Sequence, residues 1–332
     1  MPSVKSTAGL LLSILAFASA VYAQAWVNAR DQGTVSLLYQ YGFDRYHVFS
    51  LGQEADKGHT ALQAVMLDVD YSLTDRLAVR IALPFIEGKY IGTQPHFYVR
   101  HDKTTATELD DGNYHGGLQD FRFDVRYNVS RKNVMVTPFF MASIPSRDYS
   151  TLGHGAVGTD QREYRVGVNV GRQLSPWIRH AFIQGRYAFG MVQEIAHVAP
   201  KRSYGELQVG YLLSRRFSVQ GSTLWVHSHN GINFDYVLFP DNLTVEQYQN
   251  HDRISRVNLL DVGASSTFAI NRKTNLFVGW GHSIRGTNTH LRSIVLTTGV
   301  TRTFTGRSRE EQASALPWAE SKQALVCTCA KK

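Results

Sequence analysis

Residues 61–85 read ALQAVMLDVDYSLTDRLAVRIALPF, and the period of this stretch decides the fold. Taken at every second position, one face carries Val65, Leu67, Val69 and Tyr71, then Leu77, Val79, Ile81, Leu83 and Phe85. The other face carries Met66, Asp68, Asp70, Ala78, Arg80 and Ala82, and the polar residues 72–76 separate the two arms. Alternation of this kind marks a β-hairpin. Each arm has the length of a tilted transmembrane strand, roughly 9–11 residues. The apolar face suits lipid, and the opposite face, with charges of both signs, suits a wet barrel interior.

The ends of the chain fit export. Lys5, the apolar run 9–18 and the small-residue pattern Val21, Tyr22, Ala23 read as a signal peptide over residues 1–23, cleaved before Gln24. Its apolar core is too short for a spanning helix, and nothing after residue 23 contains 18 consecutive apolar residues, which excludes a helical membrane protein. The net charge of +8 comes from dispersed Lys and Arg residues, many alternating within strands, so nucleic acid is not expected as a partner. The charge is better placed on loops facing anionic lipopolysaccharide or inside a pore. Cys327 and Cys329 stand one residue apart, too close for an unstrained disulfide, so no disulfide framework exists.

Outward from the hairpin, the pattern repeats. Strands are predicted over residues 33–43, 61–71, 77–85, 119–129, 134–145, 162–173, 181–192, 204–213, 217–227, 257–269, 274–284 and 291–304. Pro138 inside the fifth predicts a bulge, because proline removes a ladder hydrogen bond. Only about ten residues separate the cleavage site from the first strand, which leaves no room for an N-terminal plug domain. Five connections are short, near residues 74, 131, 176, 215 and 271, and they alternate with six connections that are mostly longer. Aromatic residues group at both strand ends, with Tyr71, Tyr127, Phe217, Phe268 and Phe304 near the short turns and Phe43, Phe85, Trp225 and Trp280 opposite. Segregated loop lengths, an even strand count and two aromatic girdles predict an all-β, antiparallel up-and-down transmembrane β-barrel of about 12 strands in the bacterial outer membrane, with short periplasmic turns and long extracellular loops. The barrel would occupy residues 24–304, with 305–332 a flexible periplasmic tail.

Four stretches resemble one family. The segment 71–85, the stretch GLQDFRFDVRY at 117–127, and the C-terminal pieces His251-Asp252-Arg253 and GTNTH at 286–290 are similar to motifs of the transporter-like outer-membrane barrels grouped as the meta-pathway phenol-degradation family. The resemblance implies an outer-membrane barrel linked to uptake of aromatic or hydrophobic compounds, and it supplies no catalytic residues. The tail after Phe304 departs from the usual barrel end, which closes on the last strand's aromatic residue.

Inward positions of the predicted strands include Asp68, Asp70, Arg80, Asp120, Arg122, Asp124, Arg126, Arg165, Arg186, Glu206 and Asp261. Charged walls of this kind filter permeants. Because acids and arginines nearly cancel, and a barrel of this size is only moderately wider than one its own side chains fill, a networked interior with a narrow channel is expected. The rival reading is an acyl hydrolase, since His227-Ser228-His229-Asn230-Gly231 is similar to the His-x-Ser-Asn-Gly element of barrel phospholipases and lipid A deacylases. Here His229 stands at the nucleophile's position, and Ser228 points to the opposite strand face from His227. A structural or adhesive barrel acting through its loops is the third reading. His96, His101, His115, His154, His251 and His290 fall on predicted loops, where solvated imidazoles and no metal are expected. The sequence thus predicts a non-enzymatic passive channel without cofactor for small, aromatic or hydrophobic molecules. Its expected partners are outer-membrane lipids, lipopolysaccharide, the barrel-assembly machinery and the permeant.

Overall fold

In the computed structural model, residues 24–306 are described, apart from 101, 102, 236 and 238–240. The predicted leader, the tail beyond Gly306 with Cys327 and Cys329, and His101 lie outside the described residues. Twelve long strands form the wall: β1 (Gln32–Val48), β2 (Glu54–Ser72), β3 (Leu77–Ile91), β4 (Phe121–Tyr127), β5 (Val134–Ile144), β6 (Glu163–Gln173), β7 (Ala181–Val192), β8 (Lys201–Leu212), β9 (Phe217–Ser228), β10 (Asn258–Ala269), β11 (Thr274–Thr287) and β12 (Thr289–Thr305). Each pairs antiparallel with its sequence neighbours, and β12 pairs with β1, so the sheet closes into a barrel. Closure leaves no strand edge without a partner, the condition for a backbone in lipid. Among the described residues no helix is long and apolar enough to cross a membrane.

The hairpin of β2 and β3 has the expected register, with Leu67 opposite Leu83, Asp70 opposite Arg80, and Val65 opposite Phe85. Side chains follow the period of two. Leu67, Ile81, Phe85, Phe123, Val125 and Tyr187 are exposed on the outside, whereas Asp68, Asp70, Ala78, Asp124 and Arg126 are buried inside. A wall with apolar side chains outward and charges inward is the pattern of a lipid-embedded barrel. The aromatic rim at the short turns is tied into the closure. Tyr71 stacks on Phe304 with centroids 6.1 Å apart. Gly33 lies between them, where a Cβ would come 2.4 Å from the Phe304 ring. Glycine is required there by the close approach of the ring.

The bulge expected at Pro138 is present on one side. β4 and β5 pair in register down to Arg126 opposite Phe139, and pairing resumes with Ser130 opposite Val136, shifted by one residue. Towards β6 the ladder continues, with Pro138 opposite Val168.

Two predicted boundaries are corrected. Residues 44–60 are not one polar loop, because β1 continues to Val48 and β2 begins at Glu54. Residues 285–290 are not a loop either: β11 and β12 are joined through Asn288 alone, at a φ of 50°. Arg285 is exposed at the end of β11, so the alternation there is not one of apolar against charged. The long connections are structured as well. Residues 92–120 hold a hairpin (Phe97–Arg100 with Lys103–Ala106) and a short strand, His115–Leu118, added to β3. Residues 229–257 hold two short helices, α1 (Val245–Gln249) and α2 (His251–Ile254), with a capping box at Thr244 and Gln247.

Candidate functional site

The lumen is built from the inward residues of β2 to β9. A cavity is lined by Arg80, Arg122, Arg165 and Arg186, by Asp124 and Glu206, by Tyr204, and by Met66, Ala82, Met141, Ala188, Leu224 and Val226. Its chemistry is therefore mixed. Guanidinium groups outnumber carboxylates by four to two, and apolar side chains form much of the remaining wall. These apolar residues belong to two packed clusters, one around Leu38, Met66 and Ile86, the other around Phe139, Tyr204 and Leu224.

Most charges beside the cavity are paired. Arg80 Nε lies 2.7 Å from Asp68 Oδ2. Arg126 bonds Asp70 and lies 3.3 Å from Asp124, which in turn lies 3.3 Å from Arg186. Arg165 lies 2.7 Å from Glu163 and 3.7 Å over the Tyr204 ring. Arg122 forms no ion pair within 4.0 Å among the described residues, and it faces the cavity. Buried charges demand partners, so paired arginines hold the wall together and Arg122 is the cation with capacity to spare.

The short-turn end of the lumen is occupied by the chain itself. Asp31 N donates to Ser72 O at the β2–β3 turn, and from there the preceding residues fold back inside. The Ala25 carbonyl accepts from Thr137 Oγ1 at 2.7 Å, and Ala25 N donates to Gln184 Oε1 at 3.3 Å. Gln24 Oε1 accepts from Arg186, and Trp26 packs edge-on against Phe182. A second, much smaller cavity lies between Gln24, Asn169, Gln184, Arg186 and Glu206. No domain precedes β1 among the described residues, but Gln24 to Trp26 enter the lumen and narrow it at this end.

At the opposite end the loops fold inward as a cap. Asp110 accepts from His96 N at 2.8 Å and from Gly155 N at 3.0 Å, which ties the β3–β4 loop to the β5–β6 loop. Arg253 Nη2 donates to the Asp160 carbonyl at 2.6 Å, which ties α2 to the same loop. Tyr149 donates to Asp120 Oδ1 at 2.6 Å, and burial together with that carboxylate pushes its phenol pKa up. His96, His154, His251 and His290 are all buried, in correction of the solvated state expected for them. Burial, then the neighbouring His96, push the imidazoles of His154 and His251 well below the usual range.

Of the eleven positions expected to face inward, nine gather at the cavity and its ion pairs. Asp70, Arg126, Asp124 and Arg186 form one connected set and Asp68 with Arg80 a separate pair, with Arg122, Arg165 and Glu206 adjacent at the cavity. Asp261 stands apart near the cap, bonded to Arg292 and to Ser283 Oγ at 2.6 Å. Asp120 supports the cap through Tyr149 rather than the cavity. Sequence reasoning missed Arg292, because strict alternation sends it outward. The β1–β12 register skips Ser293 between Ile294 and Arg292, and this bulge turns the guanidinium inside.

The His227 element does not assemble a hydrolase dyad. His227 stacks on Trp225 and contacts Asn258 Oδ1 at 2.7 Å, while Ser228 is fully buried on the other face. Ser203 Oγ lies 2.8 Å from His229 Nε2, but Ser203 is 2% exposed and held by the Tyr187 hydroxyl at 2.9 Å. A nucleophile needs access to substrate, which this serine lacks.

No protein-family model and no curated protein matches the chain. Among solved structures it is similar to the COG4313 outer membrane channel from Pseudomonas putida F1, at 12% identity and a TM-score of 0.64, over 85% of this chain and 99% of that one. The translocator domain of the autotransporter NalP from Neisseria meningitidis gives 0.49 at 11% identity, over 88% and 93%. The NanC porin gives 0.48 at 9% identity, over 80% and 98%. The first likeness establishes the barrel fold, and the other two are too distant to carry more.

Proposed function

We propose that this protein is a passive outer-membrane channel for small molecules that combine an apolar body with a negative charge, aromatic acids being the natural class. The observation that carries this reading is the lumen cavity, with four guanidinium groups against two carboxylates on a wall otherwise rich in Met, Ala, Leu and Val. A carboxylate would be met by Arg122, and a ring by the apolar wall. The secretory leader read at residues 1–23 and the exterior belt of Leu67, Phe85, Phe123 and Tyr187 support the outer membrane as the location. In that setting the short turns face the periplasm, the cap faces outward, and the partners are outer-membrane lipids, lipopolysaccharide and the barrel-assembly machinery. The resemblance of segments 71–85 and 117–127 to transporter-like barrels of phenol degradation points to aromatic cargo. The Pseudomonas putida neighbour is itself an outer membrane channel, which agrees with a permeation role. Swelling of vesicles carrying the protein tests the reading: benzoate should enter faster than a neutral sugar of similar size, and Arg122→Ala should remove most of that difference. Equal entry of both solutes in the unmodified protein would reject it.

A further inference from the structure

The cap contains a group of side chains that permeation does not use. His96 from the β3–β4 loop, His251 and Asp252 from α2 each offer a donor atom, and the three atoms lie within 4.8 Å of one another. His96, Asp110 and His154 form a second such set that shares His96. All five residues are buried. The His96 and His154 ring centroids are 4.3 Å apart, those of His96 and His251 5.4 Å, and those of His154 and His290 5.5 Å.

The outer nitrogen of each ring is already anchored. His96 Nδ1 bonds Asp110 Oδ2 at 3.0 Å, His154 Nε2 bonds the Gln94 carbonyl at 3.2 Å, and His251 Nδ1 bonds the Tyr248 carbonyl. A carboxylate or carbonyl on one ring nitrogen fixes the tautomer and turns the other nitrogen towards a metal, as around most metal-bound histidines. The second observation is independent of this spacing. Nδ1 of His154 and Nε2 of His290 are buried without a hydrogen-bond partner, in residues 1% and 6% exposed. Buried polar atoms are almost always satisfied, and His154 Nε2 donates its N–H to the Gln94 carbonyl, so an acceptor of the Nδ1 lone pair is the missing element at His154.

We propose that the cap holds a transition-metal site, with His96, His251 and Asp252 as ligands, Asp110 orienting His96, and His154 as the adjoining imidazole that completes the shell. Three imidazoles and a carboxylate suit Zn²⁺ or a neighbouring divalent ion such as Co²⁺ or Ni²⁺, and disfavour Ca²⁺ and Mg²⁺, which take oxygen. At a metal–nitrogen distance of about 2.1 Å, the ligand atoms of a tetrahedral site lie about 3.4 Å apart, so donors within 4.8 Å of one another close by about 1.4 Å at most on binding. The ion would join the β3–β4 loop to α2 and bring in the β5–β6 loop. It would thus lock three segments that roof the lumen, whatever passes below.

The test uses the processed full-length protein without a polyhistidine tag, carrying Cys327→Ser and Cys329→Ser so that tail thiols bind nothing. After stripping with a chelator in detergent, Zn²⁺ is titrated in competition with a chromogenic indicator. About one zinc per chain should bind, and His96→Ala or His251→Ala should weaken it by more than 100-fold, with Asp110→Asn costing about 10- to 100-fold. His227→Ala, on the barrel exterior, should bind as the parent does. Heat-modifiable gel mobility reports whether each variant is folded. If the alanine variants do not fold, the visible spectrum of Co²⁺ bound to the parent decides, and intense four-coordinate bands are expected. No zinc bound above background, binding unaffected in folded His96→Ala, or a Co²⁺ spectrum identical to aqueous cobalt would each overturn the site. None of these readouts depends on conductance, so their failure leaves the channel reading standing.

Discussion

The guanidinium of Arg186 on β7 lies 3.3 Å from the carboxylate of Asp124 on β4, although β5 and β6 stand between them in the wall. The contact is a chord across the lumen, and it links Asp70 and Arg126 on one side to Gln24 on the other. Removing one partner of a buried pair costs about 3–5 kcal/mol when the other is left alone. Asp124 keeps Arg126, so Arg186→Met should destabilise the barrel by a smaller amount, about 1–3 kcal/mol. Arg126→Met together with Arg186→Met strands Asp124, and the loss should exceed the sum of the single effects. Denaturant midpoints in detergent check this. Strictly additive losses would contradict a shared network.

The N-terminal residues narrow the lumen from the short-turn end, through the bonds of Ala25 to Thr137 and Gln184. Deleting residues 24–28 behind an intact leader should raise single-channel conductance several-fold with little change in stability. Planar-bilayer recording checks it, and unchanged conductance would mean that the segment leaves the lumen when current flows.

The outward row of β2 runs Val69, Leu67, Val65 and then Gln63, which accepts from the Tyr39 hydroxyl at 3.1 Å. Leu67 sits mid-belt and Gln63 at its edge. Leu67→Arg should therefore cost about 2–4 kcal/mol, and Gln63→Arg about 0–1 kcal/mol. Unfolding from lipid vesicles measures both. Equal costs would argue that this face does not meet lipid.

The cap histidines set a pH dependence. His154 faces His96, Asp110 and His290, and burial is the main cause of its depressed pKa. A base that is harder to protonate when folded stabilises the fold above its unfolded pKa, about 6.5, and that stabilisation is lost as the pH falls below it. Thermal stability of chelator-treated protein should thus hold from pH 8 to about 6.5 and decline below that. His154→Gln should flatten the decline. A profile rising towards acid would contradict buried neutral imidazoles.

The barrel was legible because its signal is local. Period-two alternation fixes which of Asp68, Arg80, Asp124 and Arg126 face inward, and loop lengths fix the two ends. Three features were not legible. Arg292 turns inward at a bulge, and nothing in the alternation of residues 291–304 marks it. Gln24 to Trp26 enter the lumen through contacts made more than 100 residues away, at Thr137 and Gln184. The cap histidines read as solvated because His96, His154 and His251 meet only after three loops fold over one another. The charge count itself hid the cavity's character. Six acids and five arginines nearly cancel along the strands, but Arg80, Arg165 and Arg186 are paired with Asp68, Glu163 and Asp124, which leaves Arg122 as the unpaired guanidinium of the cavity wall.

The most direct measurement is the bi-ionic reversal potential of the purified protein in a planar bilayer, with sodium benzoate on one side and benzylammonium chloride on the other. The two organic ions share a ring and differ in sign. Benzoate should permeate at least several times better than benzylammonium, and Arg122→Ala should bring the two close to equality. Equal permeation in the unmodified protein, or a preference for benzylammonium, would contradict it.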